Sequence, residues 1–280
     1  MLSIRLLTAR DFKFAVTLTD TMNWNMAEDD FSFMVELEPQ GCFVLHSDLK
    51  PIGLATTISF DHVGWIGNVI VDKSYRRQGA GSFLVQHAIH YLESKGVTTA
   101  CIYAYLAKQQ FYQRLGFSTE SNFNVLHGSL NLFPPTAENV VPAIKTQYPT
   151  IIDFDSRCLG YSRQQLLRSL LSLSSTRCYI AVMNDSLQGY AIVKDYGNFA
   201  ELGPVVWTRE VKRIGYDLIH SALRDNPGID TFMCIPQNEC ALINSLKSNG
   251  FQEDFRVVRM LRGFPLHIDC MQIAESLERG

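Results

Sequence analysis

The residues Arg76-Arg77-Gln78-Gly79-Ala80-Gly81-Ser82 have the types and the spacing to hold a phosphate or pyrophosphate. Glycines at 79 and 81 carry no Cβ, so an anion can approach the backbone closely. An amphipathic run follows at once, with apolar residues at Leu84, Val85, Ala88, Tyr91 and Leu92, which is helical spacing. The first N–H groups of such a helix have no internal partner, and that end carries about half a positive charge. Arg76 and Arg77 add full charges. Before the loop, Val69-Ile70-Val71 reads as the end of a buried strand. The order strand, glycine loop, helix is therefore an anion site. It is not a P-loop, because no Gly-Lys-Ser/Thr closes it. It also lacks the third glycine of the dinucleotide fingerprint.

A second element lies downstream, Phe111-Tyr112-Gln113-Arg114-Leu115-Gly116-Phe117. The pair resembles the two linked motifs of the GNAT N-acetyltransferases. Their acyl-CoA signature, Arg/Gln-x-x-Gly-x-Gly/Ala, is filled by Arg76, Gly79 and Gly81, and the second run matches their Phe-Tyr-x-Arg-Leu-Gly-Phe element. The resemblance implies an α/β fold on an α+β mixed sheet and direct transfer from acetyl-CoA to an amine. It implies that Arg76 to Ser82 hold the pyrophosphate. Val69, Ile70 and Val71 would serve the pantetheine and give one N–H to the oxyanion, and Tyr112 would protonate the leaving thiolate. A phenol suits that task because it keeps its proton at neutral pH. The pattern departs in one place. Tyr105 and Lys108 stand where the family has Asn and Ala, so the amide that meets pantetheine is missing.

The elements that must position these residues fit two units. The chain has 280 residues, 46% hydrophobic and 19% charged, with a net charge of −3. That composition argues against bulk nucleic-acid binding. No segment approaches roughly 18 uninterrupted apolar residues, so no membrane span is expected. The first residues are broken by Arg5, Arg10, Asp11 and Lys13 and lack the apolar core of a signal peptide. Seven cysteines at irregular spacing offer no metal-ligand pattern and read as reduced core residues of a cytoplasmic protein. No metal is expected.

Strand and helix signals run to Leu130. A stretch from 131 to 150 follows with Pro134, Pro135, Pro142 and Pro149, which reads as a linker between units 1–130 and 151–280. The second unit opens with a capping box at Ser162 and a helical face of Leu166, Leu167, Leu170, Leu171 and Leu173, and ends with Arg256 to Leu261 closing the sheet. The halves repeat. Gly53 corresponds to Gly189, Val71 to Val206 and Phe117 to Phe251, at offsets of 136, 135 and 134. The segments Trp24-Asn25, Trp65-Ile66-Gly67, Gly203-Pro204-Val205-Val206 and Arg259-Met260-Leu261-Arg262-Gly263 resemble a bacterial tandem-GNAT subfamily with a degenerate C-terminal domain. In the second copy the loop reads Thr208-Arg209-Glu210-Val211-Lys212-Arg213-Ile214-Gly215. Its double glycine is gone and Glu210 brings a negative charge, so it is not expected to bind coenzyme A. That copy either completes the acceptor pocket or serves as a cap or homodimer surface.

The general base is not readable. Asp61, His62, Asp72 and the helix carboxylates Glu28, Asp29 and Asp30 are candidates, and Trp24 is either an acceptor-pocket wall or core. The leading expectation is an acetyl-CoA-dependent N-acetyltransferase acting on a small-molecule or amino-acid-like primary amine. A non-catalytic acyl-CoA-binding or regulatory protein is the alternative. A protein acetyltransferase is a third reading, weakened because the second unit would close the acceptor side.

Overall fold

The chain builds one series of elements twice. The first pass is β1 (Leu2–Leu6), α1 (Phe12–Asp20), α2 (Glu28–Leu37), β2 (Cys42–Ser47), β3 (Lys50–Phe60), β4 (Val63–Val71), α3 (Ala80–Ser94), β5 (Thr99–Tyr105), α4 (Gln109–Gln113) and β6 (Ser118–Gly128). The second is β7 (Val140–Pro142), α5 (Tyr148–Leu159), α6 (Gln164–Ser172), β8 (Thr176–Met183), β9 (Ser186–Asp195), β10 (Phe199–Thr208), α7 (Arg213–Arg224), β11 (Asp230–Pro236), α8 (Cys240–Ser248) and β12 (Gln252–Gly263). A last strand, β13 (Cys270–Ile273), has no counterpart. The computed structural model describes residues 1–132, 137–211 and 213–280. Pro134 and Pro135 of the proline-rich stretch, and Lys212 of the second loop, lie outside the described residues. Within that stretch, Pro142 ends an edge strand and Pro149 sits in the first turn of α5, where a missing N–H costs nothing.

All the strands join one mixed sheet, in the order β1-β2-β3-β4-β5-β12-β6-β11-β10-β9-β8-β7. The position of β12 corrects the sequence reading. It does not close an edge but lies between β5 and β6, antiparallel to both. In turn β6 lies against β11 of the second half. Each half thus lends its last strand to the other. Alternating apolar residues show that a strand is buried but do not name its neighbours, so this exchange left no mark in the periodicity.

Pairing also corrects the repeat register. Gly53 faces Val71, and Gly189 faces Trp207, so the offset stays at 136. The counterpart of Val71 is therefore Trp207, not Val206. Parity agrees: Val71 packs under α3 and Trp207 under α7, whereas Val206 points to the opposite face. Two smaller expectations shift as well. The residue capping α6 is Arg163 rather than Ser162, and Leu173 falls beyond the helix and is exposed.

Two faces cover the sheet. On one, α3 packs with Leu84, Val85, Ala88, Ile89 and Leu92, and α7 packs with Ile214, Leu218, Ile219 and Ala222. On the other, α1, α2, α5 and α6 share a single core. In each half the two parallel strands pair only briefly. β4 meets β5 from Val63 to Trp65, and β10 meets β11 from Phe199 to Glu201. Beyond these points the strands part, leaving a V-shaped slot in each half. A bulge sits beside each slot, at Asn68 in β4, whose φ is +51°, and at Gly203-Pro204 in β10.

The last residues connect the two slots. β13 enters the second slot and pairs antiparallel with β10 from Val205 to Thr208, and the Ala274 N–H then donates to the Cys234 carbonyl of β11 at 3.2 Å. The chain next crosses the exchanged strands, where Ala274 and Leu277 pack with Phe123, Val125 and Val257. It ends against Gly67 and Trp65 of the first slot. Gly67 and Gly203 are equivalent positions at the offset of 136, and both are passed by this segment. A Cβ on Gly67 would lie 2.7 Å from the Glu278 Cα, and one on Gly203 would run into the Ala274 carbonyl. Backbone there cannot yield as a side-chain tip can. Gly203→Ala is expected to cost about 1–3 kcal/mol, read as a lower urea midpoint at unchanged slope.

Candidate active site

The anion loop begins where β4 ends. After Val71 the Asp72 carboxylate caps a short turn by accepting from the Ser74 N–H at 2.8 Å. Arg77 and Gly79 both take left-handed backbone, with φ of +62° and +84°. Gly79 is the residue that caps α3, and a Cβ placed on it would meet open space. The N–H groups from Arg77 to Ser82 form no close, well-aligned hydrogen bond among the described residues. They form a concave run of donors at a helix N-terminus, which is an anion cradle. The two arginines differ. Arg76 is used internally: its Nε donates to the Val71 carbonyl at 2.7 Å and its Nη2 approaches the Met22 sulfur at 3.9 Å. Arg77 is exposed, and the Gln78 amide donates to the Ser74 carbonyl at 3.2 Å.

The second motif packs on the first. α4 places Phe111 so that its ring lies 3.5 Å from a Cβ built on Gly81. Tyr112 is buried with Val71, Ala104 and Phe117, and its ring meets Phe111 and Phe117 edge-on. Burial alone pushes the Tyr112 phenol above its ordinary range, so it holds its proton at neutral pH. The structure therefore brings Val69 to Val71, the loop and Tyr112 to one end of the first slot. Trp24 is on the other face.

Trp24 lies between α1 and α2, half-buried, and its indole N–H donates to the Tyr105 hydroxyl at 2.9 Å. The tyrosine in place of the family amide thus ties the α1–α2 loop to β5. Of the α2 carboxylates, Glu28 and Asp29 are exposed. Asp30 caps the helix by accepting from the Ala27 N–H at 2.7 Å, and burial raises its proton affinity. Asp61 and His62 sit at the far end of β4. There Asp61 accepts from the Ser162 N–H at 2.7 Å and His62 meets the Tyr161 ring, so both pin the second half rather than face the slot.

What the sequence could not supply is the final segment. Glu275, fully buried, accepts from Lys194 of β9 at 2.7 Å and from Arg279 at 2.8 Å. Glu201 of β10 also pairs with Lys194, at 3.0 Å. Arg279 lies over the Phe33 ring of α2. One turn of chain places Glu278 against Gly67 at the opening of the first slot, with Tyr105 and Asp30 around the same cluster. No local motif marks Glu278, because its neighbours are remote in sequence.

The second slot is built differently. β13 lies in it, Trp207 packs against Gly215, and Arg209, the loop arginine, donates to the Ile268 carbonyl at 2.7 Å. A cavity of about 310 Å³ lined by Trp207, Arg209, Asn238, Glu239 and Met271 is what stays open there. Among the described residues no cluster of His, Cys, Asp and Glu is placed to hold a metal ion, and no helix is long and apolar enough to cross a membrane.

A mixed sheet that splits beside a bulge is here present twice, and in the first half an anion cradle suited to acyl-CoA stands at the split. The described acetyltransferase (GNAT) family matches residues 5–117, and an acetyltransferase (GNAT) domain matches residues 151–273. The chain belongs to the GNAT acyltransferases and carries two such domains in tandem. Among curated proteins it is similar to holothin acyltransferase of Pseudoalteromonas sp. (strain SANK 73390), with 22% identity over 86% of this chain and 81% of that protein. Among solved structures it is similar to a candidate acetyltransferase of Pyrococcus horikoshii, with a TM-score of 0.82 and 20% identity, covering all of this chain and 96% of that one. It also matches a tandem GNAT protein from the clavulanic acid biosynthesis pathway, with a TM-score of 0.63 and 15% identity, over 95% of this chain and 99% of that one.

The ion cluster around Glu275 sets the stability of this site. Removing one partner leaves buried charge uncompensated, so Glu275→Ala is expected to cost about 3–5 kcal/mol in denaturant unfolding. Arg279 and Lys194 outweigh burial and hold the Glu275 carboxyl well below the ordinary range. Its contribution is therefore complete above the unfolded value of about 4.3 and is lost only as pH falls below that. A pH series of melting curves should show wild type and Glu275→Ala converging in acid.

Proposed function

We propose that the first unit is an acyl-CoA-dependent N-acyltransferase that moves an acetyl group to the primary amine of a small or amino-acid-like acceptor by direct attack. The observation that carries it is the run of unpartnered N–H groups from Arg77 to Ser82 at the open end of the β4–β5 slot. In this reading Arg76, by fixing the strand end, and Arg77, Gln78, Gly79, Ala80, Gly81 and Ser82, by their N–H groups and charge, hold the pyrophosphate. Val69, Ile70 and Val71 present the unpaired strand edge to the pantetheine arm. A backbone N–H at the bulge aimed at the forming oxyanion is worth on the order of 3 kcal/mol of barrier. Tyr112, protonated and packed behind the loop, delivers a proton to the leaving thiolate. Trp24 walls the acceptor side.

The amine acceptor finds support in the charge there. Four carboxylates, Asp30, Glu201, Glu275 and Glu278, surround two cations, Lys194 and Arg279, which leaves a field suited to a cation. A small acceptor finds support in α5 and α6, which share a core with α1 and α2, and in the final segment, whose Arg279 lies over the Phe33 ring of α2. The relative named for holothin acylation fits a small acceptor too. In the second unit, β13 stands where a pantetheine arm would run, so that unit takes no coenzyme A.

Acetyl-CoA at a hundredfold over Kd should stabilise the wild type by about 2.7 kcal/mol. Gly81→Asp sets a negative charge in the cradle, and the shift should vanish while the fold persists. Tyr112→Phe should bind acetyl-CoA as well as wild type but lose about 10²–10⁴-fold in kcat. A full thermal shift in Gly81→Asp, or full turnover in Tyr112→Phe, would contradict these roles.

A further inference from the structure

We propose that Glu278, carried into the first unit by the segment that follows β13, is the general base that deprotonates the acceptor ammonium. This rests on the transferase reading above and adds to it the residue the sequence could not name.

Three placements support the assignment. The Glu278 backbone lies against Gly67, which immediately precedes the β4 bulge, and Gly67 has no Cβ to keep it away. That is the point where β4 and β5 have just parted. The Tyr105 hydroxyl of β5, which accepts from Trp24, lies within electrostatic reach of the Glu278 carboxylate, so the carboxylate acts on the residues of the acceptor wall. The remaining acids of the cluster are committed. Glu275 is shared by Lys194 and Arg279, Glu201 pairs with Lys194, and Asp30 caps α2. Glu278 forms no ion pair among the described residues, and its neighbour is the Ser276 hydroxyl.

The electrostatics agree with the geometry. Burial, with Glu201 and Glu275 in support, raises the proton affinity of Glu278 against the opposing pull of Arg279 and Ser276. Tyr105 of β5 and Cys234 of β11 are the further titratable groups within its electrostatic reach. A carboxylate raised in this way is a better base near neutral pH. In the reaction it takes one proton from the ammonium. The freed lone pair forms the C–N bond to the thioester carbonyl, the C–S bond breaks, and the sulfur leaves with the Tyr112 proton. The second amine proton passes to solvent, from which Tyr112 is restored. The products are the amide, the free thiol and one net proton.

The fold also accounts for why the segment arrives there. Four residues earlier Ala274 passes Gly203, the equivalent glycine of the second unit, directly after β13 has filled that unit's slot. The second unit's slot thus anchors the segment that supplies the first.

The test uses the full chain with acetyl-CoA and a panel of L-amino acids, spermidine and glucosamine, across a pH series. Glu278→Gln keeps the shape and loses the charge. It is expected to retain the acetyl-CoA thermal shift and the KM for acetyl-CoA within about twofold. It should lose about 10²–10⁴-fold in kcat and the acid limb of kcat/KM, in which activity rises as the base loses its proton. Glu278→Asp should recover part of the rate and the limb. Wild-type kcat and an unchanged acid limb in Glu278→Gln would overturn the assignment and leave the transferase reading intact. A wild type inert toward every amine would overturn both.

Discussion

The exchange of β6 and β12 is the constraint on which the other features depend. Past β5 the first half has no strand of its own to continue the sheet, and past β11 neither has the second. Each edge is completed by the other half, along long antiparallel ladders that leave few backbone groups unpaired. Side chains fasten the join. Arg259 of β12 is buried over the Phe123 ring and meets Glu120 of β6 through two bonds, at 2.7 and 2.9 Å. A chain arranged in this way cannot unfold one half without opening the sheet of the other.

The exchange also brings the two slots side by side, and this is what allows a short final segment to visit both. Its anchors are costly to bury: Lys194, Glu275 and Arg279 form one cluster, and Arg163 with Asp155 and Tyr190 form a second on the same side of β9, where Arg163 also donates to the Gly280 carbonyl at 2.8 Å. Buried ion pairs of this kind add little net stability over an apolar core. They do fix one position of the segment, since any other leaves charges unpaired.

Duplication produced two similar slots, and each half then took a different course. The first keeps its double glycine, left-handed loop backbone and free N–H groups. The second has its own chain between β10 and β11, and its loop arginine turned onto that chain. A slot that would otherwise hold an extended ligand arm is equally suited to an extended peptide, because both satisfy the same unpaired strand edges.

The sequence by itself determined the local pieces: the strand–loop–helix of residues 69–82, the Phe111–Phe117 element and the repetition of the two halves. These are written in spacing and in glycine, which act over a few residues. The family pattern put Tyr112 forward as a proton donor, while Trp24 stood as either a pocket wall or core. Tertiary structure alone decided which strands pair, that β12 lies inside the sheet, that Val71 answers to Trp207, and that β13 fills the second slot. It alone brought Glu278 to Gly67, two residues more than two hundred positions apart. The physical reason is the same in each case. Periodicity reports which face of an element is buried, whereas pairing partners and long-range charge contacts are selected only when the whole sheet closes.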